Sequence, residues 1–232
     1  MIHRALGDIT AGQLSGTAPT LVVPVGATEQ HGPHLPLDTD TRIATALARH
    51  LSAELDHLLA PALAYGASGE HQGFAGTVSI GTPTLTAVLV EYGRSACEWA
   101  ARLVFVNGHG GNLDALRSAV VTLRRENRDA AWLSGRVADS DAHAGHTETS
   151  LMLHLAPHAV RRDQWVRGNT APLEQLMPDL RRQGVAGVSG SGVLGDPTSA
   201  SAAEGARMFG GMVADGVVRV RRWAPGPDGM LT

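Results

Sequence analysis

Apolar and polar residues alternate along this chain in blocks that predict strands and helices in turn. Residues 20–25 form a continuous, largely β-branched apolar run, and residues 103–106 and 130–133 form two more. Such runs are typical of strands buried on both faces of a parallel sheet. A shorter strand is predicted at 62–64. A polar loop and a helical pattern follow the strands, which favours an α/β fold with a mostly parallel central sheet covered on both faces.

The predicted helices are read from apolar residues spaced three or four apart. One runs from Thr41 to about Leu59, where Pro61 ends it. Residues 160–198 are rich in Arg, Gly and Pro, and we expect an irregular wrapping or interface segment there. Further helices are predicted over residues 11–14, 84–100, 113–126 and 202–220, and from about residue 147.

Composition narrows the class of protein. With 232 residues, 43% hydrophobic and 18% charged, we expect one globular domain over residues 1–232. The net charge of −3 and the absence of a long Lys/Arg run disfavour nucleic acid as a partner. No apolar run approaches about 18 residues and no signal region is evident, so we expect no membrane partner and a cytoplasmic location. A single cysteine, Cys97, rules out an intramolecular disulfide.

The stretch EQHGPHLPLDTD, residues 29–40, carries the strongest chemical signal. It holds two His and three carboxylates directly after the first apolar run. Glu29 and His31 are two apart, so an extended backbone puts both side chains on one side. Asp40 opens a helix and could reach back to the same point or bridge two ions. Alternatively, Asp40 only caps its helix and the rest is a solvated loop.

A second signal follows the next strand, where NGHGGN places His109 at the carboxyl end of the sheet. Open α/β sheets bind ligands there, although a structural His in a tight turn is the alternative. The third signal is DAHAGHTETSLMLHL, which places Glu148 in the first turn of a helix and His143 just before it. The helix dipole alone also favours an acid at that position.

A long Gly-rich loop, YGASGEHQGFAGTVSIGT, occupies residues 65–82 and carries Glu70 and His71 at its middle. Loops of this length inside a compact domain are usually functional or act as lids.

The loops at one edge of a parallel sheet converge, so these signals are expected to meet. They supply three carboxylates and two imidazoles, enough for two metal ions that share Asp40. Two ions about 3.5–4 Å apart activate water and polarise a carbonyl, as in many amide-cleaving enzymes. The expected ligands are Glu29, His31, Asp40, His109 and Glu148.

The leaving nitrogen of a cleaved amide also needs a proton. His143, close to Glu148, could supply it as a general acid, so both residues are candidates for the catalytic site. A serine or cysteine nucleophile is disfavoured because the chain has no G-x-S-x-G motif and nothing catalytic surrounds Cys97. Mixed oxygen and nitrogen ligands fit iron(II), zinc and manganese alike.

Three segments together resemble the creatininase family: PVGATEQHGPHLPLDTD, the strand followed by NGHGGN, and HAGHTETSLML. The resemblance extends from about residue 20 to 220. It implies a three-layer αβα sandwich with a dinuclear metal site at the sheet edge, and an amide hydrolase activity. It also implies that Glu29, His31 and Asp40 are ligands, with Asp40 bridging.

The same resemblance makes His109 a further ligand and His143 the proton donor. Two positions depart from creatinine amidohydrolase. Its motif continues with a ligand Glu two residues after the His, where this chain has Gly111, and Glu148 is our candidate replacement. Its Trp four residues before the donor His is replaced by Asp139, which argues against creatinine as substrate.

Within the family, the segments YGASGEHQGFAGTVSIGT, DAHAGHTETS and GVLGDPTSASAAEG are most similar to the peptidase branch of the mycofactocin system. That similarity implies a metallopeptidase that cuts a modified ribosomal precursor peptide and releases its C-terminal Val–Tyr dipeptide. It also implies a homo-oligomer, often a hexamer.

Two alternatives stay open: a small-amide hydrolase of the creatinine or formamide type, and a metal-stabilised binding protein without catalysis. The second is disfavoured, since structural zinc sites are usually closed and rich in cysteine.

Overall fold

Five parallel strands form the central sheet of the computed structural model, which describes residues 4–137 and 140–232. The sheet order is β1-β3-β2-β4-β5, and β2 pairs with β4 in register from Thr20 opposite Arg102 to Val25 opposite Asn107. From β2 the chain crosses to one side for β3 and to the other for β4, so the topological switch lies between β2 and β4. The strands are β1 (Arg4–Ala5), β2 (Thr20–Val25), β3 (Leu58–Leu59), β4 (Arg102–Asn107) and β5 (Ala130–Ser134).

Helices cover both faces of this sheet, as predicted for an αβα sandwich. Successive strand residues point to opposite faces. Val22 and Val104 therefore pack with α2, α5 and α7, whereas Val23 and Phe105 pack with α3 and α4. The helices are α1 (Ala11–Leu14), α2 (Thr39–Leu55), α3 (Thr82–Ala96), α4 (Leu113–Arg125), α5 (His146–Leu155), α6 (Leu173–Gln183) and α7 (Ala202–Arg222). Across the described residues, no helix combines the length and apolarity that crossing a bilayer requires.

The segment between β2 and the Gly-rich loop differs from the prediction. The helix expected to reach about Leu59 ends at Leu55, because Asp56 adopts a left-handed conformation with φ 52°. Leu58–Leu59 then forms β3, buried between β1 and β2. The strand predicted at 62–64 was wrong, since that stretch makes only a single bridge to β2. Short apolar runs fit a helix and a buried strand equally well, which explains the error.

Residues 160–198 were predicted to be irregular, but they contain α6. Pro178 inside this helix masked the helical pattern. Leu176 of α6 and Val185 after it form a small buried cluster, against which Phe74 of the Gly-rich loop packs. The segment therefore covers the loop that carries Glu70 and His71.

Contact between α3 and α4 provides a test of the packing. A Cβ added to Gly93 of α3 would lie 2.3 Å from Leu123 Cδ1, and Leu123 is fully buried. Gly93→Ala should therefore lower the free energy of unfolding by about 1–3 kcal/mol through overpacking. Gly210→Ala is the matched control, because nothing lies within 4 Å of its added Cβ. This control should stabilise α7 by about 0.5–1 kcal/mol. Urea denaturation measures both, and equal effects would contradict the packing described.

Candidate metal centre

The candidate site lies at the carboxyl ends of β2 and β4, where the sheet topology switches. Open α/β sheets form their ligand crevices at such points. The segment after β2 supplies Glu29 and His31, the first turn of α2 supplies Asp40, and the turn after β4 supplies His109. A Cβ at Gly108 would lie 2.4 Å from the backbone oxygen of Asp40. Glycine at this position therefore allows the β4 turn to approach α2 closely.

The structure brings the predicted site residues into contact. His109 lies between two carboxylates, with Nε2 3.2 Å from Glu29 Oε2 and Nδ1 3.2 Å from Asp40 Oδ2. His31 Nε2 lies 3.3 Å from Asp40 Oδ1 and 3.8 Å from Glu148 Oε2. Four of these side chains are buried and Glu148 is partly exposed. Residues separated by more than a hundred positions thus share one small volume.

Hydrogen bonding fixes the ring of His31 in a form suited to a cation. Its Nδ1–H donates to the backbone oxygen of Glu29 over 3.1 Å, so in the neutral ring Nε2 carries the lone pair. That lone pair faces oxygens of Asp40 and Glu148. A lone pair and two carboxylate oxygens repel one another unless a proton or a cation lies between them. Backbone bonding of the distal nitrogen is also how metal-binding histidines are usually oriented.

Several buried carboxylate oxygens have no hydrogen-bond partner: Glu29 Oε1, Glu29 Oε2 and Asp40 Oδ2. Leaving buried charges unpaired is costly, and a cation bound between them removes that cost. Oxygen and imidazole nitrogen are the ligands that zinc, iron and manganese accept in proteins. The residues present therefore fit a divalent metal centre.

Three groups of ligand atoms are close enough to hold an ion, with all atoms of a group within 4.8 Å of one another. His109 belongs to none of these three groups, although its two nitrogens each lie 3.2 Å from a carboxylate oxygen. His143 belongs to two of them. The groups are Glu29, His31 and Asp40; His31, His143 and Glu148; and Glu29, His71 and His143.

The site's electrostatics favour added positive charge. Burial raises the pKa of Glu29 to about 8 and that of Glu148 to about 7. Burial alone would lower the pKa of His31 and that of His109, but the attraction of neighbouring carboxylates outweighs the effect of burial. Asp40 beside His31, and Glu29 beside His109, help raise each histidine pKa to about 10. The cluster thus binds protons strongly at the positions where cations would compete for the same atoms.

His143 is held in the tautomer that a proton-transfer group needs. Its Nε2–H donates to the backbone oxygen of Gln30 over 2.8 Å, so Nδ1 carries the lone pair. Nδ1 lies 3.7 Å from Glu29 Oε1 and 4.0 Å from Glu148 Oε2. Burial holds the pKa of His143 well below its usual value, so the ring is neutral and its Nδ1 lone pair is unprotonated. Glu148 Oε2 itself accepts a hydrogen bond of 2.6 Å from the Ala144 N–H.

Gln30 and His71 were not among the predicted site residues. Gln30 Oε1 accepts from the Gly32 N–H and its Nε2 donates to the Gly192 oxygen, which fixes the amide's orientation. Gln30 Nε2 therefore donates to His71 Nδ1 over 2.9 Å. Burial lowers the pKa of His71 to about 3, so the ring is neutral and its proton is on Nε2, 3.3 Å from Glu29 Oε1. The Glu–His pair in the Gly-rich loop was the signal that could have identified His71.

Comparison of the sequence with known proteins identifies two informative relatives. The "Mycofactocin precursor peptide peptidase" of Mycobacterium tuberculosis (strain ATCC 25618 / H37Rv) is 62% identical, and the alignment covers 98% of this chain and 94% of the relative. The "Creatinine amidohydrolase" of Pseudomonas putida is 31% identical over 63% of this chain and 68% of the relative.

Solved structures agree with the fold. A creatininase with Mn has a TM-score of 0.81 and 27% identity, covering 97% of this chain and 100% of that chain. A mutant creatininase of Zn–Zn type has a TM-score of 0.79 and 26% identity, with the same coverage. Together with the His and carboxylate cluster, these neighbours indicate that this chain binds divalent metal. The creatininase family model, described as creatinine amidohydrolase, matches residues 8–220. This chain therefore belongs to the creatininase family and, like its peptidase and creatinine amidohydrolase relatives, is an amide hydrolase.

Proposed function

We propose that this chain is a metal-dependent peptidase that acts on the mycofactocin precursor peptide. It would cut the modified ribosomal peptide near its C-terminus and release the modified Val–Tyr dipeptide. The observation that carries this proposal is the 62% identity to the mycobacterial relative of that name over 98% of the chain. The relative that acts on creatinine is only half as similar, at 31% identity. Asp139, the residue that argued against creatinine, lies outside the described residues.

The proposed centre holds two divalent cations, iron(II), zinc or manganese. Glu29 and His109 would hold one ion, His31 and Glu148 would hold the other, and Asp40 would bridge them. The short distances among these side chains and the unpartnered oxygens of Glu29 support this division. Bound cations of this kind lower the pKa of water and polarise a carbonyl, the chemistry that amide hydrolysis needs.

His143 would move the proton. Its Nδ1 faces the cluster while the Gln30 carbonyl holds Nε2–H, so Nδ1 can take a proton from the attacking water. The same nitrogen can then pass the proton to the leaving nitrogen of the amide. Glu148 lies 4.0 Å from this nitrogen and would stabilise the protonated ring.

A cavity beside the centre offers space for substrate. It measures about 160 Å³ and lies at the carboxyl ends of β4 and β5. His109, Glu148, Ser134 and Leu173 are among the residues that line it. We further propose a cytoplasmic homo-oligomer, with a hexamer as the expected assembly.

The substrate proposal is tested with purified, metal-loaded protein. Incubation with the modified precursor peptide should release the modified Val–Tyr dipeptide, detected by mass spectrometry. Creatinine and a pyrimidine formamide, incubated in parallel, should remain unchanged. Turnover of either small amide without cleavage of the peptide would contradict the proposal and favour a small-amide hydrolase.

The bridging role of Asp40 predicts a large effect on metal content. Asp40→Asn keeps the shape of the side chain but removes the charge shared between His31 and His109, so both ions should be lost. Elemental analysis of the purified variant measures this. Asp38→Asn, two residues away and partly exposed, is the matched control and should keep both ions. Full occupancy in Asp40→Asn would rule out bridging.

If His143 transfers the proton, its replacement should lower activity without lowering metal content. His143→Ala should keep its metal and lose roughly 10²–10⁴-fold in turnover. His146→Ala is the matched control, since its ring bonds to Ser199 and not to the cluster. Peptide cleavage and metal content are measured on the same preparations. Loss of an ion from His143→Ala would instead make His143 a ligand, and near-normal turnover would remove it from the mechanism.

A further inference from the structure

We propose that a second cavity binds the segment of the precursor peptide that precedes the scissile bond, and that Thr147 contacts the peptide where the two cavities meet. The second cavity measures about 450 Å³ and lies between the first turns of α5 and α6. The first cavity is the one of about 160 Å³ beside the metal centre. The inference rests on the proposed peptidase function and identifies the part of the substrate that this site recognises.

The two cavities lie side by side. His109 and Glu148 line the first cavity, whereas none of the predicted metal ligands lines the second in the described part of the chain. The second cavity is therefore further from the centre than the first. The five lining residues that the two cavities share are Ser140, Asp141, Ala142, Thr147 and Leu173.

The position of the cut decides which part of the substrate reaches the second cavity. Release of a dipeptide leaves two residues after the scissile bond, and two extended residues span only about 7 Å. The part of the precursor before the scissile bond is the longer one, and it has to leave the centre across the protein surface. The second cavity is the larger of the two and lies next to the first, so it suits the residues before the cut.

The lining of the second cavity suits an uncharged peptide segment. Pro172 and Leu194 supply apolar contacts, and Thr170 supplies a hydroxyl group. Such a mixture can pack against side chains while bonding to backbone groups of a ligand. The lining includes the carboxylates of Asp141 and Asp196 but no lysine or arginine among the described residues, so it offers no cation to an acidic segment.

Close contacts between backbone segments hold the wall of this cavity in place. Leu194 and His143 exchange two backbone hydrogen bonds, of 2.8 Å and 3.1 Å. A Cβ at Gly195 would lie 2.9 Å from the Gly145 Cα, so the covering segment packs directly on the turn before α5. The cavity is therefore preformed, and its wall is bonded to the backbone of the proposed proton-transfer residue.

Thr147 offers a hydrogen-bonding group to a peptide that crosses from one cavity to the other. It lines both cavities, and its hydroxyl makes no hydrogen bond to any described residue. Its backbone N–H donates to Asp141 Oδ1 over 3.1 Å, which holds the residue in place. A threonine hydroxyl can donate to a carbonyl oxygen. Because Glu148 of the centre is the next residue, Thr147 would bond to the substrate backbone close to the scissile bond.

The first test compares two substrates of the metal-loaded wild type. One is the full modified precursor peptide, and the other is a truncated peptide with a single residue before the modified dipeptide, too short to reach the second cavity. The truncated peptide should be cut with a KM at least about tenfold higher and a similar kcat, as expected when one or two hydrogen bonds of uniform binding are lost.

Equal KM values for the two peptides would overturn the inference and leave the proposed peptidase intact. A wild type that cuts neither peptide would contradict the peptidase proposal itself.

The second test blocks the second cavity. Thr170→Trp places a bulky ring at an exposed position that lines the second cavity and not the first. It should raise the KM of the full precursor toward that of the truncated peptide. Gln175→Trp is the matched control, because Gln175 is exposed on α6 and lines neither cavity. A wild-type KM for the full precursor in Thr170→Trp would overturn the assignment of this cavity.

The third test removes the Thr147 hydroxyl. Thr147→Val keeps the shape of the side chain and should lose about two- to tenfold in kcat/KM for the full precursor, the usual effect of one hydrogen bond. Thr147→Ser keeps the hydroxyl and should restore most of the activity, and elemental analysis should find the same metal content in both variants. A Thr147→Val variant as active as Thr147→Ser would remove Thr147 from substrate binding.

Discussion

The structure depends on the burial of one carboxylate, Glu29, whose two oxygens have no hydrogen-bond partner at the switch between β2 and β4. A buried, unpaired anion is among the costliest features a fold can contain. Here its cost is offset by the imidazoles of His71 and His109, whose Nε2 atoms lie 3.3 Å and 3.2 Å from its oxygens. Gln30 Nε2 donates to His71 Nδ1, which leaves the proton of the neutral His71 ring on the nitrogen that faces Glu29.

The parallel sheet brings the loops that carry these site residues close together. Its register brings the ends of β2 and β4 level at Val25 and Asn107, so the loops after both strands begin at the same height. The apolar layers on both faces then hold the loops in place without contributing to the chemistry. Function is thus built from residues that the fold positions but does not need for its core.

Much of the fold and most of the candidate site followed from the sequence. The apolar runs at residues 21–25 and 103–106 are uninterrupted, so the burial of these strands left little ambiguity. Dense polar motifs after strands identified the Glu29 segment and His109. Glu70 and His71 were noted only as the middle of a loop, because nothing in spacing tells which way a Gly-rich loop folds. The helix α6 was missed since Pro178 interrupts its pattern, and only tertiary packing reveals it.

Gln30 forms hydrogen bonds both with the covering segment, residues 160–198, and with histidines of the candidate metal centre. Its side-chain amide donates to the Gly192 carbonyl of the covering segment and to the ring of His71, and its backbone oxygen accepts from the ring of His143. Gly192 has φ 81°, and a Cβ there would overlap the Gln30 amide, so the junction tolerates no side chain at that point. Displacement of the covering segment would therefore be transmitted to His71 and His143 at once, so a movement at the surface of the protein would change the orientation of two buried rings together.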